Sequence, residues 1–235
     1  MTPSIGARGM NRVARLAVFG AALSLLPAAV SAQILVGRAK PRAGSTEISG
    51  GGFWMAGQDL QSTSATLTSN PSSSSSAFTL FDADPSVDPS FGANATLGVY
   101  LTPSLAIEGG FQFSRPKVNV RLSNDAEDAP DLTAAETISS YVFTGSLVYH
   151  FAAKGQTVPF IAGGAGHIRD VHAGNELVET GVEYHGKAGI KSWFGRRKAF
   201  GFRAEGGISI RDGGFSFDDD RRIAPFAAAS LLYLF

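Results

Sequence analysis

The last ten residues of the chain, Phe226–Phe235 with the sequence FAAASLLYLF, are almost entirely apolar and end on an aromatic side chain. Leu231, Tyr233 and Phe235 occupy every second position of this stretch. A period of two is typical of a β-strand, because successive side chains of a strand point to opposite faces. Chain ends of water-soluble domains are usually frayed and polar. The stretch therefore predicts a final strand that is held in a sheet up to its last residue.

The same alternation recurs in three segments upstream. Residues 105–115 (LAIEGGFQFSR) place leucine, isoleucine and phenylalanine opposite glutamate, glutamine and serine. Residues 141–151 (YVFTGSLVYHF) and 200–211 (FGFRAEGGISIR) repeat the pattern, with His150 and Arg203 on the more polar face. Strands of this kind separate an apolar environment from a polar one.

Eight such runs can be marked along the chain, and the connections between them alternate in length. Short connections occupy 102–104, 152–158 and 195–199, whereas long or polar ones occupy 58–90, 124–137, 171–179 and 212–222. Short turns at one end and long loops at the other, with an even strand number, are typical of outer-membrane barrels. The sequence predicts an all-β fold, an eight-stranded antiparallel up-and-down transmembrane β-barrel. Its strands are expected near 46–57, 91–102, 105–115, 139–151, 159–171, 181–194, 200–211 and 223–235.

The first 32 residues differ in character from the rest. Three arginines precede the apolar run 16–30 (LAVFGAALSLLPAAV), and small residues end at Ala32. This order predicts a secretory signal peptide over 1–32. A membrane anchor is the alternative, but Pro27 interrupts the run, which is short for the roughly 20 residues of a spanning helix. Residues 33–235 would then be the barrel domain, with 33–45 as a short periplasmic N-terminal segment.

Charge and composition narrow the classes of partner. The chain has 20 basic and 20 acidic residues, no cysteine and 28 glycines. Removal of 1–32 takes away three arginines and no acidic residue, which leaves a net charge of −3. No basic excess points to nucleic acid, so we expect no nucleic-acid partner.

Aromatic residues provide a separate indication of the membrane boundaries. Phe113, Tyr141 and Tyr184 lie toward the predicted long loops, and a larger set lies beside the short turns. Two aromatic girdles are typical of membrane barrels. The set expected at the short-turn side comprises Tyr100, Phe151, Phe160, Trp193, Phe194, Phe200, Tyr233 and Phe235.

Taken together, the N-terminal segment, the eight alternating runs, VPFIAGGAG at 158–166 and the terminal Phe235 resemble the small outer-membrane β-barrel proteins of Gram-negative bacteria. That group includes the OmpA membrane domain, OmpX and OmpW. The resemblance implies residence in the bacterial outer membrane after signal-peptide-dependent export, among outer-membrane lipid and lipopolysaccharide. It also implies that Leu231, Tyr233 and Phe235 are an assembly signal, read by the barrel-assembly machinery during biogenesis.

The interior of an eight-stranded barrel is only wide enough for side chains to fill it. Polar residues opposite the apolar faces are therefore expected to form a buried network. A β-hairpin centred near Glu176 would set His167 opposite His185 and Arg169 opposite Glu183. The predicted lumen network comprises Glu108, His150, His167, Arg169, Glu183, His185, Lys187, Arg203, Glu205 and Arg211.

Candidate metal and catalytic sites are weak. Two facing histidines are fewer than the three or four protein ligands that zinc usually takes, so we expect no metal and no cofactor. Carboxylates at Asp82, Asp84 and Asp88 and at 218–220 miss the twelve-residue calcium loop and are interpreted as solvated. Ser139 and Ser140, with His167 or His172, are the candidates for a nucleophile and base. Because no third group that would orient the base can be named, the chain is not expected to be an enzyme.

Three functions remain open. The preferred one is a structural or surface-interaction barrel with a filled lumen, whose surface ligand the sequence does not name. The alternative is a small porin-like channel for small or hydrophobic solutes. A soluble secreted ligand-binding barrel is a third hypothesis. The serine-rich loop at 58–90 is expected to lack fixed structure, because it has too few apolar residues to bury.

Overall fold

The computed structural model describes residues 41–67, 78–125, 130–151, 155–173, 177–194, 199–213 and 221–235. The predicted signal peptide at 1–32, most of the segment 33–45 and the carboxylates at 218–220 lie outside these residues. The described residues contain no helix that is long and apolar enough to cross a membrane.

Thirteen strands are formed within the described ranges, and eight of them close a barrel. The barrel strands are β1 (Thr46–Met55), β5 (Ser90–Tyr100), β6 (Leu105–Ser114), β9 (Ser139–His150), β10 (Thr157–Val171), β11 (Val178–Phe194), β12 (Phe200–Gly213) and β13 (Arg222–Leu234). The remaining five are β2 (Gln58–Asp59), β3 (Thr63–Leu67), β4 (Phe78–Val87), β7 (Lys117–Ser123) and β8 (Leu132–Thr137).

The barrel runs β1-β13-β12-β11-β10-β9-β6-β5 and returns to β1, with every neighbouring pair antiparallel. The predicted eight-stranded all-β barrel is confirmed. The C-terminal strand closes the ring, because β13 pairs with both β12 and β1. The N–H of Phe235 donates to the carbonyl of Thr46 at 2.8 Å, so hydrogen bonding continues to the last residue.

The two faces of the barrel wall differ in chemistry. Large apolar side chains such as Ile107, Leu147 and Leu231 point outward and are more than a third exposed. Charged side chains such as Glu108 and Arg203 point inward and are almost completely buried. Period-two alternation thus gives an apolar outside and a largely polar inside.

The two ends of the barrel carry different connections. At one end, called the short-turn end, β5 joins β6, β9 joins β10 and β11 joins β12 through a few residues each. At the other, called the long-loop end, β1 joins β5 and β6 joins β9 through segments that contain β2, β3, β4, β7 and β8.

These five strands form a second sheet, in which β4 pairs with β2, β3 and β7, and β7 pairs with β8. The expectation that 58–90 lacks fixed structure is therefore wrong for 58–67 and 78–90. Val87 packs on a cluster formed by Leu60, Val118 and Ile138, which lies at the base of the sheet. This apolar cluster combines residues from both long connections, so neither segment alone contains enough apolar surface to reveal it.

Candidate functional site in the barrel interior

At the short-turn end, the barrel is filled by apolar side chains. Tyr100, Phe160 and Trp193 point inward and are at most 3% exposed. They were expected in an outward aromatic girdle, and for these three that prediction is wrong. Their strands place them on the inward parity, next to small and branched apolar residues. The cluster comprises Tyr100, Ala106, Val148, Val158, Phe160, Ala162, Trp193, Leu232 and Leu234.

A first buried ion pair lies against this apolar cluster. Lys191 donates to Glu47 at 2.7 Å, and the hydroxyl of Tyr100 donates to the other oxygen of the same carboxylate, also at 2.7 Å. The ammonium nitrogen is 5.4 Å from the centre of the Phe160 ring, close enough for a cation–π interaction. The carboxylate and the ammonium therefore balance each other's charge inside the barrel.

Arg203 is the centre of a second, larger group of charges. Its side chain is 1% exposed and contacts two carboxylates, Glu108 at 2.5 Å and Glu205 at 2.5 Å. Lys187 contacts the same two carboxylates at 3.1 and 3.4 Å. Two cations and two anions balance, as buried charges require. The guanidinium carbon also lies 4.7 Å from the centre of the Phe160 ring, which links this group to the apolar cluster.

Nearer the long-loop end, the interior is polar but less tightly paired. Ser146 Oγ lies 2.8 Å from His185 Nε2, and Arg211 contacts Glu183 at 3.2 Å. His185 Nδ1 and Glu183 are 3.7 Å apart, too far for a hydrogen bond. The serine, histidine and glutamate have the residue types of a catalytic triad, but the base lacks its orienting hydrogen bond. All three side chains are also buried, so the set does not meet the requirements of a nucleophilic site.

A second apolar cluster, of Phe53, Met55, Ala224 and Phe226, lies inside the long-loop end. The interior is therefore layered along the barrel axis: apolar residues, charged groups, polar groups and apolar residues again.

Two predicted network members lie elsewhere. His167 pairs with Val182, and Arg169 pairs with Thr180, both on the outward face. The predicted pairings of His167 with His185 and of Arg169 with Glu183 are wrong. The hairpin is closed between Val171 and Val178, nearer the N-terminus than the predicted centre at Glu176, and this changes the register by an odd number of residues.

The other eight predicted members, Glu108, His150, Glu183, His185, Lys187, Arg203, Glu205 and Arg211, lie on the inward face. His150 does not join the charged groups through a strong contact. It stacks on Tyr100 with ring centres 5.1 Å apart.

Glu47 and Lys191 were missed by sequence reasoning. The sequence contained a usable signal for both, since Glu47 alternates with Ile48 and Lys191 follows the outward Ile190. Continuing the parity of each strand to its end would have placed both side chains inside.

The serine and histidine candidates do not come together. Ser140 is buried inside the barrel, and His167 lies outside. His172 instead contacts Glu179 at 2.9 Å and Glu136 at 3.2 Å. Burial lowers the pKa of His172, but hydrogen bonds and charge from Glu179 and Glu136 outweigh it and raise the pKa above its ordinary value. This histidine joins β8 of the second sheet to the β10–β11 connection.

The carboxylates of the first long connection stabilise the second sheet. Asp82 accepts hydrogen bonds from Ser64 at 2.5 Å and Asn124 at 2.7 Å, which lower the pKa of this carboxyl. Asp88 accepts one from Asn119 at 2.8 Å. Among the described residues, no group of three or more histidine or carboxylate side chains is arranged so that it could hold a metal ion.

Comparison with known proteins shows a likeness of fold to solved structures. No family model and no curated protein matches the sequence. The outer membrane protein OprG from Pseudomonas aeruginosa has a similar solved structure, with a TM-score of 0.52 and 12% identity over 83% of this chain and 98% of OprG.

Two weaker matches carry no argument, because their TM-scores are below 0.5. The N-terminal β-barrel domain of Pseudomonas aeruginosa OprF gives 0.45 at 13% identity, over 83% of this chain and 98% of the domain. The outer membrane protease OmpT from Escherichia coli gives 0.38 at 10% identity, over 81% and 96%. At such identities, structural likeness concerns the fold alone. The closed ring and the likeness to OprG together show that this chain has the fold of the small eight-stranded outer-membrane β-barrels.

Proposed function

We propose that this chain is an integral protein of the bacterial outer membrane, a barrel with a filled lumen and a structural or surface-interaction role. The observation that carries the proposal is the inverted distribution of polarity. Large apolar side chains cover the outside of the barrel, whereas Glu108, Lys191 and Arg203 are buried inside.

The apolar outside argues for lipid as the surrounding medium. Soluble proteins rarely expose apolar patches larger than a few hundred Å². Here outward side chains from all eight strands contribute, and several are about half exposed or more. Examples from around the ring are Ile48, Phe91, Ile107, Phe143, Ile161, Ile190, Ile208 and Leu231. A soluble barrel would bury this face around its ligand and leave the charges in water.

The layered interior argues for a structural role rather than a pore along the axis. The apolar cluster around Phe160 and Trp193 fills the short-turn end, and the ion pairs around Arg203 fill the next level. Opening a pore would require these side chains to move apart. Their buried charges would then be unpaired, which is energetically unfavourable.

The second sheet gives the barrel a surface for interaction. With short turns in the periplasm, the sheet would face the cell exterior. Its edge strand β8 exposes residues 132–136 on both faces. An exposed strand edge can bind another protein segment through main-chain hydrogen bonds.

The C-terminal strand remains the proposed assembly signal. Leu231 and Phe235 are 71% and 66% exposed on the outward face, and Tyr233 packs edge-on against Phe235 with ring centres 4.6 Å apart. The proposed partner is the barrel-assembly machinery, which would meet these side chains before the barrel closes.

Two measurements test the proposal. Full-length protein extracted in detergent should migrate faster on gels before boiling than after it, and it should be recovered with the outer-membrane fraction. Purified protein in planar bilayers should then give no steady conductance steps. Recovery in the soluble periplasmic fraction would overturn the membrane assignment, and steady steps would overturn the filled lumen.

A channel for small or hydrophobic solutes is the second candidate, favoured by one feature of the wall. A groove of about 460 Å³ is bounded by outward residues such as Trp54 and Phe91 and by the inward Phe53. Gly52 and alanines of β13 leave this part of the wall thin. Faster uptake of an apolar fluorescent solute into vesicles containing the protein, abolished by Gly52→Leu, would favour this function.

A further inference from the structure

An outward row of side chains crosses four strands near the long-loop end. Phe113 pairs with Tyr141, Tyr141 with Arg169, and Arg169 with Thr180. Phe113 and Tyr141 stack with ring centres 5.1 Å apart. The guanidinium group therefore lies on the outside of the barrel, in line with aromatic side chains.

The height of Arg169 follows from β10 itself. Its outward residues from Pro159 to Ala165 are apolar or glycine, and His167 and Arg169 come next on the same face. A tilted strand crosses the hydrocarbon core in about 9 to 11 residues. Counted from Pro159, that length ends at Arg169, which places the cation where hydrocarbon meets headgroups.

Arg169 is available to a ligand. Within the described residues, no carboxylate lies within ion-pairing distance of it, whereas the buried Arg203 contacts two. A groove of about 410 Å³ opens beside it on the outer wall. Its lining combines the cation with hydroxyl groups of Ser139 and Tyr141 and the apolar surface of Phe143 and Val171.

The groove matches one kind of occupant. Guanidinium groups bind phosphate through two parallel hydrogen bonds, and neighbouring hydroxyl groups can donate further ones. The apolar part of the groove continues into the lipid-facing wall, where an acyl chain would lie. A ligand with a phosphate attached to acyl chains satisfies both parts at once.

We propose that Arg169, with Ser139 and Tyr141, binds the phosphate of a phosphorylated lipid headgroup in the outer leaflet. This inference rests on the proposed membrane location and deepens it by assigning a lipid-binding site. The site also explains why a strand would place a cation on the face that otherwise contacts hydrocarbon.

The test uses detergent-extracted full-length protein and native mass spectrometry. Bis-phosphorylated lipid A and the same lipid after dephosphorylation are offered at equal concentration, and inorganic pyrophosphate is offered as the free anion. We expect retention of the phosphorylated lipid, with retention about tenfold weaker in Arg169→Gln, as loss of a charge-assisted bidentate contact implies. Lipid retention by Arg169→Lys should lie between that of the parent and that of Arg169→Gln. A lysine keeps the positive charge but cannot form the two parallel hydrogen bonds of a guanidinium group.

Arg121→Gln is the matched control, because Arg121 is an exposed arginine of the second sheet that pairs with Asp131. It should retain the lipid as the parent does. Equal retention of both lipids, an unaffected Arg169→Gln variant, or pyrophosphate binding as strong as lipid binding would overturn the inference. Folding is monitored by heat-modifiable migration. If the parent is folded and recovered with the membrane but retains both lipids equally, this inference alone is wrong. If the parent is recovered in the soluble fraction, the proposed membrane location is wrong as well.

Discussion

At the residue scale, Arg203 shows how the interior depends on pairing. Its guanidinium contacts Glu108 and Glu205 within a space that excludes solvent. A buried ion pair contributes little over apolar residues of the same size, but removing one partner leaves an uncompensated charge. The group is therefore sensitive to loss of a single member.

Arg203→Leu is expected to lower the free energy of unfolding by about 3 to 5 kcal/mol, because two buried carboxylates are then left with Lys187 as their single cation. Urea unfolding in lipid vesicles, followed by heat-modifiable migration, measures the change. Adding Glu205→Gln should restore part of the loss, since the remaining carboxylate of Glu108 is then balanced by Lys187.

The control for Arg203 is Arg121→Leu. Arg121 contacts Asp131 at 2.6 Å, but both side chains are roughly half exposed. An exposed pair of this kind contributes about 0 to 1 kcal/mol. Equal losses in the two variants would argue against a solvent-excluded interior.

His172 makes the attachment of the second sheet dependent on pH. Its pKa is raised in the folded protein, so the protonated form is stabilised by Glu136 and Glu179. This contribution is fully present below the ordinary histidine pKa of about 6.5 and is lost as the pH rises through the raised folded value.

We expect hydrogen exchange at the β8 amides to become faster as the pH rises above about 6.5, after correction for the intrinsic exchange rate. His172→Gln should remove this extra pH dependence while leaving the barrel amides unchanged. A pH response that persists in the variant would show that another group controls the attachment.

At the element scale, neighbouring glycines of β10 differ in what surrounds them. A Cβ on Gly164 would lie 2.0 Å from the carbonyl oxygen of Gly145, a backbone atom of β9. A Cβ on Gly163 would lie 3.8 Å from its nearest neighbour, the carbonyl oxygen of His185. Only the first position requires that the strands move apart.

Gly164→Ala is expected to destabilise the barrel by about 1 to 3 kcal/mol, the usual cost of overpacking, while Gly163→Ala changes stability little. Urea unfolding of both variants in lipid vesicles makes the comparison within one strand. If Gly163→Ala were the more damaging change, the close approach of β9 and β10 would be wrong.

The strand β10 also shows why part of the register was not predictable. Residues 158–168 (VPFIAGGAGHI) are apolar or glycine on both faces until His167, so alternation does not select which face points inward. The predicted register relied on the loop centre alone. In β12, by contrast, Arg203 and Glu205 alternate with Phe202 and Ile208, and the faces were assigned as the structure has them.

At the scale of the whole molecule, the barrel and the second sheet are separate in their strand pairing. Among the described residues, the eight barrel strands pair only with one another, and the five remaining strands do likewise. The barrel should therefore fold without the second sheet.

A variant in which 56–89 and 115–139 are each replaced by an Asn-Gly turn, between the paired residues Met55 and Ser90 and between Ser114 and Ser140, should retain heat-modifiable migration and membrane recovery. Two-residue turns of this sequence suit adjacent antiparallel strands. A variant with Gly206 and Gly207 both changed to valine is the negative control, since a Cβ on Gly207 would lie 2.2 Å from the carbonyl of Gly186. Loss of folding in the loop variant would show that the second sheet is needed to close the barrel.

The sequence by itself determined the number of barrel strands, their approximate bounds and the inward or outward face of most of them, because a period of two depends only on neighbouring residues. Tertiary structure decided what lies inside the short-turn end, where Tyr100, Phe160 and Trp193 meet from different strands. It also decided the outward position of Arg169 and the formation of the second sheet. These features depend on register and on contacts between distant segments, and local alternation contains no information about either when both faces of a strand are apolar.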